Sequence, residues 1–141
     1  MSKRLSEVER AKSDPDELRE NAQDFLVLMT CAFDHQLYAQ VAHMGNIGLE
    51  LAVKATYARV YDGVHPRGHN LAKITNVELD SSGSTFFDKI AESSVLDSFN
   101  FIKMAWRMQD RYIKRNVSKD TAIAQLSAYK DLIEWTLENY A

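Results

Sequence analysis

Proline and glycine are scarce in this sequence, two and five residues among 141, and so few chain breakers favour long helices. Cysteine occurs once, at Cys31, which excludes an intrachain disulfide and a cysteine-built zinc cluster. Because Cys31 ends the apolar run from Phe25, it is expected to be a small core residue. No apolar stretch approaches the roughly 18 residues that a membrane span requires, and the opening Met1-Ser2-Lys3-Arg4-Leu5-Ser6-Glu7 is polar from its start, so no membrane and a cytoplasmic location are expected. An excess of positive charge is also lacking. Seventeen basic residues stand against twenty acidic ones, a net charge of -3, and the global field repels a phosphate backbone. Nucleic-acid binding would have to rest on a local patch. The chain has no Gly-rich phosphate loop and no Gly-x-Ser-x-Gly elbow, which sets aside the usual geometries of nucleotide hydrolysis and serine acyl transfer.

What is present suits one packed domain. Hydrophobic residues make up 45% and charged residues 26%, a globular balance at a length that buries roughly two-thirds of the unfolded surface. Residues 1–14 read as a polar arm, frayed or docked as a short helix through Leu5 and Val8, and residues 15–141 as the helical domain. Asp14 is a good cap for a first helix, with Pro15 at its first position and Asp16 and Glu17 facing the helix dipole. Leu18, Ala22, Phe25, Leu26 and Met29 follow at helical spacing. A break is predicted at Phe33-Asp34-His35, Asp34 capping a second helix that ends at Asp62-Gly63. That helix has two apolar sides, one of small residues (Val41, Gly45, Gly48, Ala52, Ala55) and one of Leu37, Met44, Ile47 and Leu51. This predicts the central helix of a bundle, closely approached by a neighbour.

His65-Pro66-Arg67-Gly68-His69-Asn70 reads as a turn into a short helix at Leu71–Ile74. Glu78 to Ser84 is the most loop-like stretch, and Ser84 is the expected cap of a helix that packs Phe86, Phe87 and Ile90. A bend at Ser93-Ser94 leads into a helix from Val95 through Tyr112. Ser118 caps the last one, with Ala122, Ile123, Leu126, Tyr129, Leu132, Ile133, Thr136 and Leu137 on its apolar face. The prediction is an all-α, single-domain bundle of about five helices.

Few residues carry obvious chemistry. His65 and His69 have a metal-binding spacing only on a helix, and Pro66 and Gly68 argue against one there; with no Cys or acidic helix recognised beside them, no metal and no cofactor are expected. Glu50 and Lys54 read as an ion pair across one turn. Trp106 and Trp135 fall near apolar stripes and read as core. Arg107, Arg111, Lys114, Arg115 and Lys119 form a basic run whose simpler reading is a solvated helix end.

Gly48-Leu49-Glu50-Leu51-Ala52-Val53-Lys54-Ala55, followed by Gly63 and then Gly68-His69-Asn70-Leu71, resembles the HEPN domain family over about residues 16–140. The resemblance implies a central helix bearing Glu50 and Lys54, then a turn and a Gly68-His69-Asn70-Leu71 step into a short helix. Many members are ribonucleases in which an Arg holds the phosphate and a His four to six residues away transfers a proton, usually across a dimer interface. Arg111 and Arg115 match the arginine role. No His follows either of them in the chain, and Asn116 transfers no proton at neutral pH.

Three readings follow. The first is a non-catalytic helical module that binds another protein, by analogy with bacterial antitoxins and immunity proteins that cover a toxin. Its acidic balance would complement a basic, nucleic-acid-cleaving partner, with Asp80, Asp88, Glu92 and Asp97 as candidate contacts. The second is an RNA-binding or RNA-cleaving protein that uses the basic run from Arg107 to Lys119. A third reading is a purely architectural homodimer paired through the long helices, as the resemblance implies.

Overall fold

The computed structural model describes residues 2–105 and 116–141. Helix α1 spans Pro15–Asp34. The Asp14 carboxylate accepts the Asp16 N–H at 2.9 Å, and Pro15 opens the helix, where a missing N–H costs nothing. Helix α2 spans Tyr38–Val60. It does not begin on an Asp34 cap as the sequence suggested. Asp34 is the last residue of α1, and the cap position of α2 is Leu37, whose side chain makes no capping bond. The turn is built by the backbone instead: Gln36 takes a left-handed φ of 61°, the Leu37 N–H donates to the Ala32 carbonyl, and the Gln36 N–H donates to the Phe33 carbonyl. This pair of bonds closes the C-terminus of α1.

From Ala52 through Ala58 every residue of α2 is buried. Seven consecutive buried residues cover all sides of a helix, which makes α2 the enclosed element the two apolar stripes predicted. Its small stripe is the contact surface. A methyl carbon placed on Gly45 would lie 2.5 Å from the Tyr129 ring, and one on Gly48 would lie 3.2 Å from both Phe25 Cβ and Ile133 Cδ1. Gly45 thus admits α6, while Gly48 is pinched between α1 and α6. Helix α6 spans Lys119–Asn139, and the Ser118 hydroxyl caps it by accepting the Thr121 N–H at 3.1 Å.

Three shorter helices cover one end of this core: α3 (Leu71–Ile74), α4 (Phe86–Ala91) and α5 (Leu96–Ala105). The cap of α4 is Thr85 rather than Ser84. The Thr85 hydroxyl accepts the Asp88 N–H and the Asp88 carboxylate accepts the Thr85 N–H, a reciprocal box that Ser84 lacks. Phe86 and Ile90 are fully buried, and Phe86 meets the rings of Trp135 and Tyr140 at 5.9 and 5.8 Å. Trp106 and the predicted stretch of α5 beyond Ala105 lie outside the described residues.

The first residues are docked. Leu5 is buried, Lys3 bridges Val77, and strand β1 (Arg10–Lys12) pairs antiparallel with strand β2 (Val64–Pro66), Ala11 opposite His65. Each strand is three residues long, too short for a period-2 signal to emerge in the sequence. Three core assignments also change, one being Leu37, which precedes α2 and is exposed. Cys31 is exposed, because Met29 and Ala32 carry the inward face of α1 and position 31 turns outward beside the exposed Val27 and Leu28. Ile123 is 46% exposed for the same reason, Ala122 being the buried residue of that turn.

The tight contact at Gly45 predicts that Gly45→Ala lowers stability by about 1–3 kcal/mol through overpacking. Urea unfolding at constant m-value measures it, and an unchanged midpoint would mean that Tyr129 moves aside freely.

Candidate functional site

Two charged residues of α2 are buried together. Glu50 and Lys54 stand one helical turn apart, with side chains only 11% exposed, and Lys54 Nζ donates to Glu50 Oε1 at 2.9 Å. The same oxygen receives His69 Nδ1 at 2.6 Å. His69 reaches it from the loop after β2, which turns at Gly68 with φ 111°. The loop then passes to Asn70, whose side chain accepts the Lys73 N–H to cap α3, and to Leu71, which is buried in the core. Glu50, Lys54, Gly68, His69 and Leu71 therefore form one latch, holding a surface loop against the central helix. An acidic group does lie beside His69, contrary to the sequence expectation, because the loop folds back onto α2. Among the described residues no group of three or more His, Cys, Asp or Glu side chains is arranged to hold a metal ion.

His65 belongs to a different constellation. Its ring is buried on β2, with Nδ1 2.9 Å from the Pro66 carbonyl and Nε2 3.0 Å from Ser13 Oγ. A carbonyl only accepts, so Nδ1 carries the proton and the free Nε2 lone pair accepts the Ser13 hydroxyl. Burial pushes the His65 pKa below its ordinary value of 6.5; the Lys54 cation pushes the same way, and the Pro66 carbonyl opposes both. Nothing local in the sequence marks this pair, since Ser13 and His65 are 52 residues apart and meet only through the β1–β2 pairing. Two tyrosines were equally hidden. Tyr57 donates to the Val77 carbonyl at 2.6 Å and Tyr61 to the Glu78 carbonyl at 2.8 Å, anchoring the loop segment to α2.

The four acidic candidates lie along the segment from the loop before α4 to the start of α5, all but the edge of Asp88's cap facing solvent. Asp80 holds a turn: its carboxylate accepts the Ser82 hydroxyl and the Ser82 and Ser84 N–H groups, and Lys89 lies 3.7 Å away. The Ser82 hydroxyl is the chief cause of an Asp80 pKa below the usual carboxylate value. Asp88 is fixed by the α4 cap. Glu92 closes α4, and Asp97 lies in the first turn of α5.

The HEPN domain model matches residues 15–140, nearly the whole chain. The chain belongs to the HEPN domain family. Among curated proteins and among solved structures, nothing matches it. Of the basic run, Arg107, Arg111, Lys114 and Arg115 lie outside the described residues, while Lys119 is exposed at the first position of α6.

Two outcomes are expected. Glu50→Gln removes the charge that balances a buried lysine and should cost about 3–5 kcal/mol, whereas replacing Glu50 and Lys54 together by Met should cost much less; denaturant midpoints of the two variants decide it. For His65 the folded-state pKa is the lower one, so the unfolded chain binds the extra proton. Stability should therefore hold above about pH 6.5, the ordinary value, and fall as pH drops below it. The difference in urea midpoint between wild type and His65→Gln, followed from pH 8 to pH 5, isolates this contribution.

Proposed function

We propose that this HEPN-family helical module works by binding another protein, in the manner of an antitoxin or immunity protein that covers a bacterial toxin. The observation that supports this reading is the acidic shoulder. Between positions 80 and 97 four carboxylates stand against a single lysine, Lys89, and that lysine is turned toward Asp80. Local charge is thus as negative as that of the whole chain. Two of its members are held rigidly, Asp80 by three donors and Asp88 by the α4 cap, so a partner meets charges already in place and loses little side-chain entropy in ordering them. Such a surface complements a basic face of the kind a nucleic-acid-cleaving protein carries, speeding encounter and fixing register. The buried Glu50 cluster supports the same reading: its ionic groups pair within the chain and serve to hold a loop.

Glu92 and Asp97 are the residues to change, because Asp80 and Asp88 also hold the fold. A partner captured from nuclease-treated native lysate should bind Glu92→Lys/Asp97→Lys at least about tenfold more weakly than wild type, with a flatter dependence of association rate on salt. Unchanged affinity in that variant would overturn the assignment of the shoulder. Capture that yields no protein, with RNA binding that weakens steeply with salt, would replace this reading by an RNA-directed one centred on Arg111 and Arg115.

A further inference from the structure

We propose that Ser13 is an acyl acceptor: its hydroxyl, oriented and deprotonated by His65, takes the acyl group of a small uncharged carboxylic ester held in the groove beside it. The proposal goes beyond the protein-binding reading and does not depend on it, since none of Asp80, Asp88, Glu92 and Asp97 lines this groove.

The geometry is that of an activated nucleophile. Ser13 Oγ lies 3.0 Å from His65 Nε2, and the Pro66 carbonyl, 2.9 Å from Nδ1, holds the ring in the tautomer whose Nε2 accepts a proton. The His65 ring is 4% exposed, so the base is fixed and shielded while Ser13 itself is only half-buried. Position is secured by the backbone as well: the Ser13 N–H donates to the Gly63 carbonyl at 2.9 Å, one step beyond the β1–β2 ladder. No Gly-x-Ser-x-Gly motif is needed, because the serine and its base are brought together by strand pairing across the chain rather than by a local elbow.

Ser13 lines an open groove of about 450 Å³, shared with Lys12, Asp14, Pro15, Ala58, Arg59 and others. Its charged walls balance, Lys12 and Arg59 against Asp14 and Asp62, which favours a ligand without net charge. Arg59 is paired with Asp16 at 2.9 Å and the Ser13 N–H is already engaged, so Lys12 is the groove cation left for a developing oxyanion. In the step, Ser13 Oγ attacks the ester carbonyl and forms a new C–O bond, and its proton passes to Nε2 of His65. The bond to the leaving alkoxide breaks, and that oxygen takes the proton from His65, leaving an acyl-serine, a free alcohol and a neutral imidazole. The charge that acts on His65 is Lys54 from α2, a cation that favours the neutral ring the step requires; Arg10 and Lys12 alternate to the opposite face of β1 from Ala11, the residue paired with His65.

The test uses p-nitrophenyl acetate on the full chain, read by intact mass and peptide mapping. The expected result is one acetyl group on Ser13, removed by neutral hydroxylamine as an ester is and a lysine amide is not. Ser13→Ala should lose it, and His65→Gln should form it about 100-fold more slowly or worse. The wild-type rate should rise with pH along the same midpoint as the His65 imidazole resonances, a readout that stands even where His65→Gln does not fold. No hydroxylamine-sensitive adduct, an adduct that persists in Ser13→Ala, or a rate that ignores the His65 titration would each overturn the proposal.

Discussion

The enclosure of α2 is the constraint from which the rest of the molecule follows. A helix covered on every side needs neighbours close enough to exclude water and needs partners for every polar group it carries inward. The first requirement is met by Gly45 and Gly48, where α6 and α1 come nearer than any side chain on α2 would allow. The second is met by Lys54, which pairs with Glu50 inside the helix, and by Glu50, Tyr57 and, just past the helix end, Tyr61, which bond the segments that pass over it. Close packing and buried polarity are thus one solution: the long helices supply the apolar walls, and the loops from β2 to α4 are held in part by hydrogen bonds to α2 and the residue that ends it.

This arrangement separates the regions of the surface by what they can do. The latch around Glu50 is inward-looking, and its charge is consumed by Lys54 and His69. The acidic segment from Asp80 to Asp97 is outward-looking, with Asp80 and Asp88 also holding a turn and a helix cap. The buried His65 keeps an unprotonated nitrogen toward a half-exposed hydroxyl. One family fold carries an anchoring cluster, an acidic surface and a buried histidine–serine pair, with no residue shared among them.

The long elements were legible because their signals are local and repeated. Asp14-Pro15 marks the start of α1, Ser118 marks the start of α6, and the two stripes of α2 announce a central helix. Glu50, Lys54, Gly68 and His69 were legible as a motif, though only the fold shows that the last of them closes back on the first. What stayed hidden depends on distance along the chain or on fine phase. The β1–β2 pair has three residues per strand, and the Ser13–His65 contact exists only because those strands meet. Cys31 and Ile123 sit one position from truly buried residues, and an apolar run alone does not resolve a rotation of 100° about the helix axis. The Gln36 turn was missed because a left-handed residue other than glycine or asparagine leaves no compositional trace.

The pairing of β1 with β2 makes residues 2–12 a protective cover. The family match begins at residue 15, yet a chain trimmed to that boundary would leave β2 without its partner strand and uncover the site where Leu5 is buried. An unpaired strand edge beside an apolar hollow invites another chain to supply the missing strand. Domain limits drawn from the helices alone would therefore open a paired strand edge and leave the chain prone to exchange that edge with its neighbours.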